Sequence, residues 1–148
     1  MARTLAIASI VWPMLLGVAL WQRASGHEGV FSLLIYGAAS RVCHQRPERS
    51  FHTAGVSWPV CGRCSGLYLA APFGAALALM RMRRRAMSRG YVRMLVIASV
   101  PTFVTLGLEL AGVWAPSNLT RAIAALPAGA TLAFVLVRLA AGDPQSIK

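Results

Sequence analysis

The chain has 148 residues, which is room for one domain. Hydrophobic residues make up 57% of it and charged residues only 13%, whereas roughly a quarter of an average soluble domain is charged. So few polar side chains cannot cover the surface of a soluble globule. The composition therefore excludes an ordinary water-soluble domain and favours an integral membrane protein.

The net charge of +11 raises the question of a nucleic-acid partner. Six of the 15 basic residues, however, fall in one short segment between two apolar runs: Arg81, Arg83, Arg84, Arg85, Arg89 and Arg93. A basic connection of this kind is typical of a cytoplasmic loop, and no nucleic-acid-binding motif accompanies it. We expect the lipid bilayer as the partner and no nucleic acid. The sequence indicates no protein partner.

Four apolar runs predict an all-α bundle of four transmembrane helices. The runs cover residues 4–21, 66–80, 94–113 and 119–140, and a helix needs about 20 apolar residues to cross the hydrocarbon core. The first run could be a signal peptide, but Trp21 and Arg23 stand where a cleavage site needs small residues. We therefore interpret it as an uncleaved span, and the chain as a single membrane domain.

Between the first two spans lies a short apolar run, Val30–Ser40, of 11 residues. It is too short to cross a membrane as a helix. We predict a short interfacial helix, with a tilted fifth span as the alternative. A loop at about residues 41–65 follows, and Pro47, Gly55 and Pro59 predict that this loop is irregular.

The arginines and tryptophans predict the orientation of these spans. With four spans, both termini share a side with the arginine-rich segment, which the positive-inside rule places in the cytoplasm. The loop at 41–65 then faces outside, and Trp21, Trp58 and Trp114 fall at the outer boundary, as an aromatic belt would. We expect a location in the plasma (inner) membrane.

Two segments of this loop carry a recognisable pattern. Residues 43–51 read CHQRPERSF and residues 59–68 read PVCGRCSGLY. The pattern resembles an uncharacterised prokaryotic membrane-protein family catalogued as domain of unknown function 2085. The resemblance continues more weakly through Gly112, Ser117, Asn118 and Arg121. It implies a polytopic membrane protein and no established activity.

The family pattern also has an acidic residue followed by a glutamine in the third span. Thr105 and Glu109 fall at those positions in this chain. The departure leaves any role of the intramembrane acid to be argued from this chain's own residues.

The loop contains all three cysteines of the chain, which are metal-ligating residues. Cys61 and Cys64 form a C-x-x-C pair, and Cys43 and His44 precede it by sixteen residues. Structural zinc sites use such pairs of pairs, so we predict a Cys3His site for zinc or another transition metal, structural or for metal handling. Because neighbouring side chains diverge, His52, His27 or a water could replace His44.

Two further functions fit the same residues. Outside the cytoplasm thiols tend to be oxidised, and Cys61 and Cys64 with Cys43 as a shuttle could act as a thiol–disulfide oxidoreductase linked to quinone. Such a relay usually needs a second pair, whereas the chain has three cysteines. A scaffold or interaction subunit with buried free thiols is the third possibility. The sequence leaves open whether the protein is an enzyme.

Charged residues near the loop are further candidates. Glu109 is the one acid inside a predicted span, and intramembrane acids are usually paired or functional. We expect it to pair with Arg49 or Arg63, with extension to the interface as the alternative. Arg46, Arg49 and Ser50 could bind an anionic lipid headgroup or substrate, or form a plain solvated loop.

Overall fold

Five α-helices and one small β-hairpin make up the part of the chain that the computed structural model describes, which is residues 1–27, 29–81 and 89–142. In chain order these are α1 (Ala2–Ala24), α2 (Val30–Ser40), a 3-10 turn (Pro47–Arg49), β1 (Ser50–Thr53), β2 (Val56–Cys61), α3 (Gly62–Met80), α4 (Arg89–Leu110) and α5 (Asn118–Ala140).

Four of these helices, α1, α3, α4 and α5, are long and apolar enough to cross a membrane. The all-α membrane bundle predicted from the sequence is therefore confirmed. The helix α2 has 11 residues and is about 16 Å long at 1.5 Å per residue, which is well short of a span. The centre of the arginine-rich segment, Arg83–Arg85, lies outside the described residues.

Helices α3 and α5 run parallel and pack backbone against backbone. Gly62 lies against Asn118, Gly66 against Ala122, and Gly74 against Ala130. A Cβ atom on Gly66 would overlap the carbonyl oxygen of Ala122. Small residues permit this approach, as is common where membrane helices associate.

Helices α1 and α4 run antiparallel to this pair. Near the start of α1, Ala6 packs against Ala78 and Val137, close to the ends of α3 and α5. In the middle of α4, the hydroxyl of Thr102 donates to the carbonyl oxygen of Ala124 over 2.8 Å. The ends of α1 and α4, the starts of α3 and α5, and the hairpin therefore gather at one end of the bundle, which we call the cysteine end.

The loop predicted to be irregular contains a β-hairpin, which the sequence analysis did not predict. Thr53 pairs with Val56 and His52 with Ser57. The two-residue turn between the strands has positive φ at both positions, 50° at Ala54 and 77° at Gly55. A turn of this kind matches the twist of two short antiparallel strands, so one glycine after a small residue was enough to close the hairpin.

The start of the second spanning helix also differs from the prediction. The apolar run predicts a span that begins at Gly66, after Cys64, whereas α3 begins at Gly62 and Cys61 is its N-cap residue. The helix extends further because Gly62 fits directly against the backbone of Asn118, where a Cβ atom would lie 2.6 Å from the carbonyl oxygen. Cys64 consequently lies in the first turn of the helix.

Candidate functional site

The three cysteines meet at the cysteine end of the bundle. Cys43 follows α2, Cys61 ends β2, and Cys64 lies in the first turn of α3. Their Sγ atoms all lie within 4.8 Å of one another, and none forms a disulfide. Three separate elements thus bring three thiols together, which we call the cysteine cluster.

Backbone and side-chain hydrogen bonds fix Cys43 against the hairpin. The backbone N–H of Cys61 donates to the Sγ of Cys43 over 3.2 Å. Gln45 has a left-handed backbone, with φ of 47°, and its Nε2 donates to the carbonyl oxygens of Tyr36 and Pro59 at 2.8 Å each. Gln45 therefore joins α2 to β2 and holds Cys43 opposite Cys61.

Apolar packing buries the cluster from the α1 side. Cys43 is only 5% exposed and packs with Leu16 and Val60. Cys61 and Cys64 are partly exposed and lie at the edge of the same apolar group, beside Tyr68. The cluster is thus sheltered on one side and open on the other.

The electrostatic surroundings of Cys61 favour its thiolate. Its pKa is lowered from the ordinary value to about 5, chiefly because the Cys64 side chain donates a hydrogen bond to its sulfur. The backbone N–H of Cys64 and the Cys43 thiol add to this effect, whereas partial burial of Cys61 opposes it. A thiolate is the form that binds metal and the form that attacks disulfides.

The histidines named from the sequence lie apart from the cluster. His44 is exposed and lines the cavity beside the cysteines, but it is not part of the group of atoms within 4.8 Å. His52 is exposed on the hairpin, where its Nε2 lies 3.0 Å from the Ser57 hydroxyl and shares a hydrogen bond with it. His27 is exposed at the end of α1.

Next to the cluster, Glu109 is surrounded by three guanidinium groups. Arg63 Nη2 lies 2.7 Å from its Oε2, while Arg121 Nη2 at 2.8 Å and Arg49 Nε at 3.2 Å contact its Oε1. Both arginines named from the sequence are therefore partners, and Arg121 is a third. The Glu109 side chain is only 8% exposed, so these contacts replace the water that a buried carboxylate would lose.

Asn118 connects this ion-pair group to the hairpin. Its Oδ1 accepts a hydrogen bond from Arg121 Nη1 at 2.7 Å, and its Nδ2 donates to the carbonyl oxygen of Ser50 at 2.7 Å. Ser50 is fully buried, and its hydroxyl donates to the carbonyl oxygen of Arg46 over 3.0 Å. Its hydroxyl is thus engaged in the fold and does not line the cavity beside the cysteines.

That cavity has a volume of about 350 Å³ and joins the cysteine cluster to the arginines. Its lining consists of Val42, Cys43, His44, Gln45, Arg46, Arg49, Cys61, Arg63, Cys64, Leu110 and Arg121. Sulfur ligands and positive charge therefore share one opening. We call it the cysteine–arginine cavity.

Gln45, Asn118 and Arg121 are site residues to which the sequence analysis gave no role. Each belonged to the quoted family pattern, so the signal was present. Their roles could not be predicted from the sequence because their contacts join separate elements. Asn118, for example, donates a hydrogen bond to Ser50, which lies 68 positions earlier in the chain. The parallel packing of α3 and α5 brings Asn118 and Arg121 to the cysteine end, whereas Gln45 is placed there by its bonds to Tyr36 and Pro59.

Comparison with known proteins places this site inside a shared segment. The sequence profile of a family described as "Predicted membrane protein (DUF2085)" matches residues 43–135. An uncharacterised protein of Methanothermobacter thermautotrophicus is 34% identical over 92 residues, which are 62% of this chain and 81% of the relative. One of Methanocaldococcus jannaschii is 30% identical over 106 residues, which are 72% of this chain and 68% of the relative. No solved structure matches the chain.

Proposed function

The chain belongs to the DUF2085 family of membrane proteins, and from this premise we propose that it binds one thiophilic transition-metal ion, zinc in the first place, through Cys43, Cys61 and Cys64. The observation that supports this proposal is the approach of three Sγ atoms within 4.8 Å of one another. Zn–S bonds of about 2.3 Å place tetrahedral sulfur ligands about 3.8 Å apart, which the cluster reaches by small adjustments of its side chains.

The surroundings of the sulfurs favour metal binding. The backbone N–H of Cys61 donates to the sulfur of Cys43 and holds this ligand in place. The lowered pKa of Cys61 means that one ligand is already deprotonated at neutral pH. Three thiolates around a divalent ion carry one net negative charge, and the neighbouring arginines offset it.

The fourth coordination position is open in this proposal. Catalytic zinc sites combine three protein ligands with water or substrate at the fourth position. His44 lies on the rim of the cavity and is the nearest histidine by sequence to the cluster. We propose that His44 or a water completes the site, and that His52, which is engaged with Ser57, does not.

Elemental analysis of the purified full-length protein tests the metal site. We expect about one zinc ion, or another transition metal, per chain, and loss of that metal in Cys61→Ser. His52→Ala is the matched control, because it removes a potential ligand that lies outside the cluster and should retain the metal. His44→Ala decides whether the fourth ligand is protein or water.

A folding defect would also remove metal, so a second measurement is needed. Cobalt added to metal-free protein should give thiolate-to-cobalt charge-transfer absorption in the native chain and in His52→Ala. Cys61→Ser should retain the helical circular dichroism of the native chain while this absorption is lost. Absence of metal in the native protein, together with no cobalt absorption, would overturn the proposal.

One alternative rests on a separate observation. An apolar cavity of about 300 Å³ lies between α1, α3 and α5, and Tyr68, one helical turn after Cys64, lines it. It could accept the ring of a quinone. Oxidation of the Cys61 and Cys64 thiols to a disulfide would release two electrons and two protons, which reduce the quinone to quinol.

Mass spectrometry distinguishes this redox function from metal binding. Metal-free protein incubated with a soluble quinone would form a Cys61–Cys64 disulfide and an equivalent amount of quinol. If the thiols stay reduced under these conditions, the redox function is excluded.

For the location, we propose the plasma membrane, with both termini in the cytoplasm and the cysteine end outside. The support is the arginine-rich segment between α3 and α4, which the positive-inside rule retains in the cytoplasm. A membrane-impermeant thiol reagent should label Cys61 in intact cells after chelation of metal. Labelling of Cys61 only after the cells are opened would mean that the cysteine end faces the cytoplasm.

A further inference from the structure

We propose that the cysteine–arginine cavity binds a small oxoanion of the phosphate type, either as a free anion or as the phosphate of a lipid headgroup. This site lies beside the proposed metal ligands and does not depend on them. Three features of the cavity support such binding: its unpaired donors, its excess of positive charge and its position in the bundle.

Several guanidinium N–H groups that line the cavity have no acceptor among the residues that the structure describes. Arg63 donates to Glu109 through Nη2 alone, and Arg49 contacts it through Nε alone. The Arg46 side chain is exposed and forms no hydrogen bond or ion pair with any residue that the structure describes. These donors from three arginines surround one opening, and guanidinium groups suit the geometry of a phosphate.

Two further donors in the cavity wall are buried and unsatisfied. The Nε atoms of Arg63 and Arg121 have no hydrogen-bond partner among the described residues. Arg121 is only 7% exposed, so bulk water does not solvate it freely. The contacts with Glu109 therefore leave both guanidinium groups with unused hydrogen-bond donors.

The charges around the cavity are unbalanced. Three guanidinium groups contact the single carboxylate of Glu109, and Arg46 adds a fourth positive charge. The chain has only four acidic residues; Glu48 is exposed and unpaired within residues 1–27, 29–81 and 89–142, and the other two lie outside these ranges. A cysteine cluster around a divalent ion supplies one negative charge at most, so a positive excess remains.

The position of the cavity suits an anion from the membrane surface. Val42 and Leu110, which lie in its wall, are 62% and 73% exposed, so apolar side chains and guanidinium groups border the same opening. Lipid phosphates occupy the corresponding depth of a bilayer, where arginines bind them. The volume of about 350 Å³ falls within the range of ligand pockets.

A pair of matched variants tests the site in the full-length protein in detergent. Inorganic phosphate is titrated in a phosphate-free buffer, and binding is followed by calorimetry. Arg46→Gln removes a lining guanidinium that has no partner in the described part of the chain, so the fold should persist. Arg41→Gln makes the same change of charge at an exposed arginine outside the cavity.

We expect saturable phosphate binding to the native chain, unchanged by Arg41→Gln and weakened about tenfold or more by Arg46→Gln, as the loss of one charge-assisted contact implies. Binding should persist in metal-free Cys61→Ser, which separates this site from the metal site. No saturable binding to the native chain, or equal weakening in the two arginine variants, would overturn the proposal.

A second arm identifies the source of the anion. The protein is placed in nanodiscs of phosphatidylcholine alone or with added phosphatidylglycerol, and phosphate binding is measured again. Loss of phosphate binding only when phosphatidylglycerol is present assigns the site to an anionic lipid headgroup. Equal phosphate binding in both lipids assigns it to the free anion. No phosphate binding in either nanodisc, in a protein that binds phosphate in detergent, assigns the site to the phosphate of lipid headgroups in general.

Discussion

The backbone N–H of Cys61 donates a hydrogen bond to the Sγ of Cys43 over 3.2 Å. This bond joins the end of α2 to the residue that caps α3, across a gap of 18 positions in the chain. Gln45 adds two more hydrogen bonds between the same parts of the chain, to the carbonyl oxygens of Tyr36 and Pro59. Their relative position therefore depends on a few hydrogen bonds at the cysteine end, and each of these bonds can be tested.

Gln45 is the side chain that sets this position, so Gln45→Glu should weaken metal binding. A carboxylate of the same size loses both donations to Tyr36 and Pro59 and faces their carbonyl oxygens. Residues that orient metal ligands typically change metal affinity by about 10–100-fold when replaced. We expect a loss of at least tenfold in zinc affinity, measured by competition with a chromophoric chelator.

Ser40→Ala is the control for this change. Ser40 lies at the end of α2, and its hydroxyl bonds only locally, to the carbonyl oxygen of Gly37. Its zinc affinity should equal that of the native chain. Native affinity in Gln45→Glu would mean that Gln45 does not position the cluster.

Alkylation of Cys61 should show an unusual pH dependence in metal-free protein. The thiolate is the reactive form, and a pKa of about 5 keeps Cys61 deprotonated from pH 8 down to pH 6. Its labelling rate with iodoacetamide should therefore be nearly constant over that interval and fall below pH 5. An ordinary cysteine, with a pKa of about 8.5, would lose roughly tenfold in rate per pH unit below pH 8. Mass spectrometry of the labelled peptide gives the rate at Cys61 itself.

The same experiment with Cys64→Ala tests the cause. The Cys64 side chain is the main donor to the Cys61 sulfur, so its removal should raise the pKa of Cys61 toward the ordinary value. The pH profile should then shift to higher pH. An unchanged profile in Cys64→Ala would contradict the assigned hydrogen bond.

The sequence could predict the helices of the membrane bundle because hydropathy and helix length are local properties. Four spans and the short helix α2 followed from apolar runs alone. The start of α3 could not be placed in this way, because it depends on the contact of Gly62 with Asn118 in another helix. The hairpin was missed because its turn uses Ala54 and Gly55, both with positive φ, where a stronger signal would be asparagine before glycine.

For the candidate site, the sequence predicted which residue types take part but not how they are arranged in space. The three cysteines and the C-x-x-C spacing of two of them indicated a cluster of sulfur atoms. Whether His44 faced that cluster required the conformation at Gln45, whose φ of 47° is rare for a residue with a side chain. The role of Arg121 required the packing of α5 against α4, which brings its Nη2 atom to the carboxylate of Glu109.

Glu109→Gln should destabilise the protein strongly. The neutral amide leaves three guanidinium groups near one another without their carboxylate, and two of them, on Arg63 and Arg121, are 13% and 8% exposed. Breaking a buried ion pair by removing one partner typically costs about 3–5 kcal/mol. We expect a clearly lower midpoint of thermal unfolding in detergent.

Glu48→Gln is the matched control for this loss of charge. Glu48 is exposed at the cysteine end and has no ion pair within the described part of the chain. Its unfolding midpoint should stay within experimental error of the native value, since isolated surface charges contribute little to stability. Equal midpoints for Glu109→Gln and the native protein would mean that the ion-pair group does not stabilise the fold.

Gly66→Ala should separate α3 from α5 and destabilise the bundle. The added methyl group would overlap the carbonyl oxygen of Ala122, which is backbone and cannot rotate away. Overpacking of this kind typically costs about 1–3 kcal/mol and sometimes more. It should also lower zinc occupancy, because the first turn of α3 carries Cys64. Thermal unfolding and elemental analysis of the same preparation measure both effects.

Gly107→Ala provides the comparison that isolates packing from helix propensity. Gly107 lies in α4, and a Cβ atom there would meet nothing within 4 Å. Alanine is favoured over glycine in a helix by up to about 1 kcal/mol, so this variant should be as stable as the native chain or slightly more stable. If Gly66→Ala and Gly107→Ala had the same unfolding midpoint, the close parallel packing of α3 against α5 would not hold the bundle together. The fixed register that brings Asn118 and Arg121 to the cysteine end would then need another cause.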